Sequence, residues 1–333
     1  MRRLVLTGIA VALFAAAVLG ISSQLLTEYW WFQQIGYLSV FTARLGWQVE
    51  IAATAFFVAA LFLAFNLRRT KPVLGRAFAR IPGLNRIQAI HLDVVIWIVS
   101  VLYGILFASG AAAYWFEIGQ LFKQVPFLTV DPVFQRDIAF YVFTLPAINI
   151  VLNWLSGLFL TTALLLGLIY AITAAFSWTR SSKVHLGVLL TLVVAVQAAA
   201  RWLAGYELLF SRTGAVYGAG FTDVNVRLCA FRLMAVMGLF VIGGIWMLVM
   251  KGRSRPLISA LAAWLIAAVV VGGVLPSLVQ NWIVSPNEYE REKPYLEHHL
   301  TMTRQAFGIE DFIESDYAYR DVVDAQALEE GRI

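Results

Sequence analysis

The chain has 333 residues, a net charge of +5, 60% hydrophobic residues and only 14% charged ones, against about 25% charged in an ordinary soluble domain. That much apolar surface exceeds what a water-facing fold can bury, so lipid must cover part of it. The positive balance does not point to nucleic acid: twelve acidic and five basic residues follow Gln280, and the remaining basic excess sits in short loops rather than on one folded face, where it would be drawn to membrane lipids with anionic headgroups.

Seven apolar stretches follow in order: Leu4–Leu25, Gly46–Leu67, Asp93–Ala113, Ala147–Phe176, Val184–Ala204, Leu228–Met250 and Leu257–Gln280. Each meets the roughly 20 residues that a helix needs to cross a hydrocarbon core about 30 Å thick. The predicted fold is therefore all-α: a polytopic bundle of seven transmembrane helices over 1–283, with a helical tail over 284–333 that turns acidic at its end. Arg2 and Arg3, six basic residues between Arg68 and Arg86, Arg180 and Lys183, and Lys251, Arg253 and Arg255 fall on one side of that bundle. They make up 13 of the 25 Lys and Arg. The positive-inside rule assigns that side to the cytoplasm, which puts the N-terminus inside and the C-terminal tail outside.

Span one resembles a secretory signal at its start, but its apolar run of eighteen residues exceeds the usual 7–15, so it is expected to be retained. Gly8, Ala12, Ala16 and Gly20 in this span, and Gly104, Ala108 and Ala112 in span three, recur every four residues. Such stripes let helix backbones approach closely. Tyr29, Trp30, Trp31, Tyr37, Trp47, Tyr114, Trp115, Trp202, Tyr206 and Trp282 mark the outer headgroup level and Trp178 the inner one. The single cysteine, Cys229, permits no internal disulfide and no cysteine-based metal site.

Ionisable residues at mid-membrane depth usually mark an ion or proton pathway, and these spans have none. Their centres offer Ser100, Tyr103, Thr161, Thr162 and Gln197, groups that more often bond across helices. The charged residues gather at the outer ends instead. There Glu50, Glu117, Asp131, Asp137, Glu207 and Asp223 can meet Arg201, Arg212, Arg227 and Arg232. Ion pairs holding loops to the bundle are the favoured expectation for this cluster, and an outward site for an anionic headgroup or small solute is the sharper one. Gly218-Ala219-Gly220 lacks the third glycine and the preceding strand of a dinucleotide site. His298 and His299 are neighbours, so on a helix they diverge by about 100° and cannot share a metal. No catalytic, cofactor-binding or metal-binding residues are assigned.

In the tail, Ser285-Pro286-Asn287-Glu288 has the form of a capping box. Pro294 is expected to interrupt the helix, and Gly308 to end a second one. Leu296, Leu300 and Phe307 form the expected docking face.

Trp30–Gly46 (WWFQQIGYLSVFTARLG), Asp131–Pro146 (DPVFQRDIAFYVFTLP), Tyr206–Asp223 and Ser285–Gly308 (SPNEYEREKPYLEHHLTMTRQAFG) resemble, in order, the UPF0182 family of bacterial membrane proteins. The resemblance implies seven N-terminal helices followed by a large exported domain, and no established activity. It also implies several hundred residues beyond Ile333, so the chain is expected to be a shortened member or a fragment. The leading expectation is a non-enzymatic docking subunit, multi-pass in the bacterial cell (inner) membrane, with a protein partner on the external face. The alternative is a transporter or channel for a small solute or lipid, with a polar cavity around Tyr103, Thr161 and Gln197. An outward-facing enzyme would require two of the outer carboxylates to converge in one cleft.

Overall fold

The computed structural model describes residues 2–80, 89–173, 179–214 and 216–312, apart from the side chains of 2–14, 17, 18, 21, 78–80 and 89–91. Ten α-helices are named: α1 (Arg2–Gln34), α2 (Leu38–Arg80), α3 (Ala89–Ala112), α4 (Trp115–Phe122), α5 (Leu145–Ile172), α6 (Arg180–Glu207), α7 (Leu228–Lys251), α8 (Arg255–Val269), α9 (Leu275–Val279) and α10 (Glu288–Phe307). No strand occurs among the described residues, and one isolated bridge joins Val130 to Asp137.

Six helical runs are long and apolar enough to cross a membrane: Leu38–Ala77, Leu92–Ala112, Phe140–Ile172, Arg180–Phe210, Asp223–Lys251 and Arg255–Phe307. They coincide with the second to seventh predicted segments, although the helices outrun the apolar stretches. The backbone of Leu4–Leu25 lies within α1, but most of that segment's side chains lie outside the described residues. So do Trp178, Phe176 at the end of the fourth segment, and the acidic end of the tail.

The bundle is held by α2 against α3, α5 against α6, α6 against α7, and α7 against α8. Leu63, Leu67, Ile96, Leu166, Tyr170 and Leu189 form a buried cluster where α2, α3, α5 and α6 meet. Leu106, Leu164, Phe240 and Leu265 stay exposed on the outer faces of their helices, as expected of surfaces solvated by lipid. The small stripe of span three is a seam: a Cβ on Gly104 would come within 2.8 Å of the Phe56 ring and 2.9 Å of the Ala60 methyl. The stripe of span one is not packed at Gly20, where nothing of this chain lies within 4 Å.

Prolines shape three helices. π-helical turns span Phe140–Thr144, Val270–Val274 and Gln280–Val284, each ending two residues before a proline: Pro146, Pro276 and Pro286. A proline ring clashes with the carbonyl four residues back and donates no amide bond. Opening the preceding turn to i→i+5 bonds lets the helix pass with that carbonyl displaced. A fourth π turn, Asp223–Arg227, opens α7 without a proline after it.

The tail start differs from expectation. The chain is already helical when it reaches Ser285, so the capping box is not formed. The Ser285 hydroxyl donates to the carbonyl of Gln280 at 2.9 Å, and Asn287, the N-cap of α10, makes no side-chain cap bond. Pro294 lies inside α10 without ending it, and Gly308 closes the helix at φ +64°. The backbone is helical on both sides of residue 283, so the change there is one of composition.

Candidate functional site

The helix ends predicted to face outward carry the candidate polar residues, and the structure engages most of them singly. Asp131 is 4% exposed. Its carboxylate accepts the backbone amides of Val133, Phe134 and Arg136 at 2.9, 2.6 and 2.9 Å, and the Tyr141 hydroxyl donates to it at 2.7 Å. Asp137 does the same for the other side of this loop, accepting the amides of Ala139 at 2.7 Å, Leu128 at 2.9 Å and Phe127 at 3.1 Å. The Ala139 amide leads these bonds in holding its carboxyl below the usual carboxylate range, since they favour the charged form. Two carboxylates thus do for a loop what a sheet would do, giving acceptors to amides that have no ladder.

The loop displays what it holds. Leu128 is 89% exposed and sits at φ +59°, a left-handed conformation that an L-residue with a side chain rarely adopts. The Asp137 carboxylate fixes that amide. Arg136 then ties the loop to the end of α6, lying 4.9 Å over Phe140 and 5.4 Å over Tyr206, while Phe134 packs on Tyr206 at 4.8 Å.

The second of these loops is organised by Asp223, 1% exposed. Arg227 donates to it at 2.8 Å and also to the Thr213 hydroxyl at 2.8 Å. The tail docks here. Glu292, 3% exposed, accepts the Phe221 amide at 3.1 and 3.2 Å. Tyr295 accepts from Asn225 at 3.0 Å, and Arg291 lies 5.4 Å over the Phe221 ring. Burial pushes the Glu292 carboxyl above its ordinary value; the Phe221 amide opposes this, and the nearby charges of Asp223 and Glu288 add to it.

Among the ten outer candidates, only Asp223 and Arg227 form an ion pair with each other. Glu207 accepts from Asn149 at 2.6 Å. Arg212 and Arg232 lie over aromatic rings, Tyr217 at 5.7 Å and Trp202 at 5.8 Å. Glu117 stands in the first turn of α4, favourably placed for the helix dipole, and Arg201 is exposed. Glu50 faces a cleft between α2, α4 and α5. The expected network of carboxylate–arginine pairs is largely replaced by carboxylate–amide bonds, which need no long side chain to be ordered.

The docking face also differs from expectation. Leu296 is half-buried, but Leu300 and Phe307 are exposed. The covered side of α10 runs through Glu292, Tyr295, Leu296, His299 and Thr303, because the Glu292 carboxylate sets the helix rotation. Nothing in the charged run Glu288–Lys293 distinguishes Glu292 from a solvated residue.

Within the bundle, the polar residues near the helix centres bond to one another. The Tyr103 hydroxyl lies 2.7 Å from Thr161 and 3.0 Å from both Thr162 and the Leu158 carbonyl; Gln197 donates to Ser156 at 2.6 Å. A further hydrogen-bonded series, which no sequence pattern marks, joins α2, α5 and α6. Tyr170 lies 2.8 Å from Nδ1 of His185, and Nε2 of His185 lies 2.8 Å from Asn66, whose amide donates to the Phe62 carbonyl at 2.7 Å. That order assigns the Nε2–H tautomer to His185, with Tyr170 donating to Nδ1. Each side chain in this series has a partner, which describes a helix clamp.

The chain is 29% identical over 334 residues to a UPF0182 protein of Trichodesmium erythraeum, covering 96% of this chain and 36% of that protein. It is 34% identical over 331 residues to one of Kocuria rhizophila, covering 92% and 32%. For one of Salinibacter ruber the identity is 31% over 344 residues, covering 98% and 36%. The chain thus spans about a third of the length of these curated relatives. No solved structure matches it. The model of the uncharacterised protein family UPF0182 matches residues 4–332, and the chain belongs to that family.

Proposed function

We propose that this chain is a docking platform: seven membrane-spanning helices in the bacterial cell (inner) membrane, N-terminus cytoplasmic, whose outer loops and tail helix hold a protein partner or exported domain on the external face. The observation that carries the reading is Leu128. A large apolar side chain, 89% exposed and held at φ +59° with its amide bonded to the Asp137 carboxylate, carries backbone strain while burying no apolar area within this chain. A contact surface would supply that burial and offset the strain. Phe127 and Val130 in the same loop, and Phe307 and Phe312 in the tail, are exposed as well.

The other polar groups favour platform over pathway. Tyr103, Thr161 and Gln197, the groups that a transport cavity would need, are taken up in contacts between helices. Asp131, Asp137 and Asp223 are taken up in holding loops. The orientation rests on the 13 basic residues of one face, and the tail over 284–333 follows the outer end of the last span.

A photo-reactive amino acid placed at Leu128 in intact cells tests the reading. It is expected to give a discrete protein adduct, whereas the same group at Leu106, on the lipid-facing side of α3, gives lipid adducts. Lipid adducts or none at both positions would contradict a docking surface.

A further inference from the structure

The cleft that Glu50 faces has a volume of about 400 Å³ and is partly open to its surroundings. Its α2 wall is one stripe of a helix: Trp47, Glu50, Thr54 and Val58 follow at intervals of three and four residues. Phe122 of α4 and Trp154 of α5 close the other sides. Trp47 stacks on Phe122 at 5.7 Å, and the Trp154 indole already donates to the Phe107 carbonyl at 3.2 Å, so both rings present apolar faces. Against those walls, two polar groups stand about 6 Å apart along the helix axis. Neither the Glu50 carboxylate nor the Thr54 hydroxyl has a hydrogen-bond or ion-pair partner among the described residues.

An unpaired carboxylate at the edge of an apolar phase requires a cation or a donor to accompany it. The three basic residues in the described ion pairs go elsewhere: Arg44 to Glu28, Lys71 to Asp93 and Arg227 to Asp223. The apolar stripe from Glu50 to Val58 extends about 12 Å into the membrane, which suits an acyl chain. We propose that this cleft binds a membrane lipid with a primary-amine headgroup. The ammonium sits between the Glu50 carboxylate and the Trp47 ring, Thr54 meets the ester region one turn deeper, and one chain lies along Val58. An anionic headgroup is repelled by Glu50. A quaternary ammonium carries the charge but has no N–H to donate. The inference rests on α2 being a membrane span, and not on which face is external.

Delipidated protein returned to nanodiscs of equal phosphatidylethanolamine, phosphatidylcholine and phosphatidylglycerol, with identical chains, tests it by native mass spectrometry of retained lipid. Phosphatidylethanolamine is expected to exceed phosphatidylcholine severalfold. Glu50→Gln should bring the two level, and Val58→Trp, at an exposed position, should remove retained lipid from the cleft. Equal retention by the unaltered protein, enrichment of phosphatidylglycerol, or a preference that survives both substitutions would overturn the proposal. Adduct formation from Leu128 is expected to be unchanged in Glu50→Gln, so failure of this site and failure of the docking surface are read separately. A protein that does not enter the bilayer at all overturns both.

Discussion

The Glu292 carboxylate rests against the α-carbon of Gly220: a Cβ at position 220 would lie 2.9 Å from Oε2 and 3.1 Å from Oε1. Residues 72 positions apart are thereby fitted to each other, and among the described residues the contact of the buried α10 side chain with the loop 213–223 depends on a missing methyl group. Gly220→Val should expel the carboxylate and free α10 while leaving α2 to α8 folded. Leaving the buried Phe221 amide without its acceptor costs about 1–3 kcal/mol, and 1.4 kcal/mol is a factor of ten. Trypsin cleavage at Arg291 and Arg304 in proteoliposomes should rise about tenfold. Unchanged cleavage would mean that the contact does not hold the tail.

The same contact responds to pH with a definite sign. The folded-state pKa of Glu292 is raised, by burial first and by Asp223 and Glu288 after it, so docking favours the protonated form. The stabilising contribution is complete below the ordinary glutamate value of about 4.3 and is lost as pH rises through the higher folded value. Protection of Arg291 from trypsin-like proteases active across this range should fall as pH rises from acidic toward neutral. Glu292→Gln, which keeps the side chain neutral, should flatten that dependence. A dependence that persists in Glu292→Gln would assign it to another group.

The membrane-crossing elements were legible in the sequence because a 20-residue apolar average is insensitive to local geometry. Six of the seven segments coincide with long apolar helices. That same averaging hid the π turns before Pro146, Pro276 and Pro286, which alter one turn without changing composition. Gly308 was readable as a helix end because a left-handed C-cap is a local requirement. Glu292 and His185 were not readable. Their roles depend on Phe221 and Asn66, distant partners that no spacing rule connects to them. The stripe through Leu300 and Phe307 misplaced the covered face of α10 because it weighed apolar residues alone, whereas the helix is turned by a carboxylate.

Leu128 separates loop stability from docking. Leu128→Gly removes the strain of φ +59°, worth about 1 kcal/mol for an L-residue in that region, so protease resistance of loop 123–139 should hold or rise. Partner capture should fall in the same variant, for example retention through gentle detergent extraction measured against Leu106→Gly. A variant that keeps its partner would show that this side chain is not part of the contact.

Asp131 and Tyr141 predict a graded loss. Asp131→Ala leaves three amides and one hydroxyl without their acceptor, and each unsatisfied buried donor costs about 1–3 kcal/mol. Tyr141→Phe removes one donor and leaves the carboxylate its three amides, a loss of about 1 kcal/mol. Thermal unfolding in detergent should rank the unaltered protein above Tyr141→Phe, and Tyr141→Phe well above Asp131→Ala. Equal melting of the two variants would show that the amide bonds contribute little.

The proposed platform depends most on which face the loops occupy. With Cys229 replaced by alanine, single cysteines at Lys123 in the outer loop and at Ser254 between α7 and α8 are treated in intact cells with a membrane-impermeant thiol reagent, using spheroplasts where an outer membrane is present. Both positions are exposed in the fold. Labelling at 123 without lysis, and at 254 only after the membrane is opened, is the result expected of an external platform. Labelling at 254 in intact cells with protection at 123 would place the platform in the cytoplasm and contradict the proposed function.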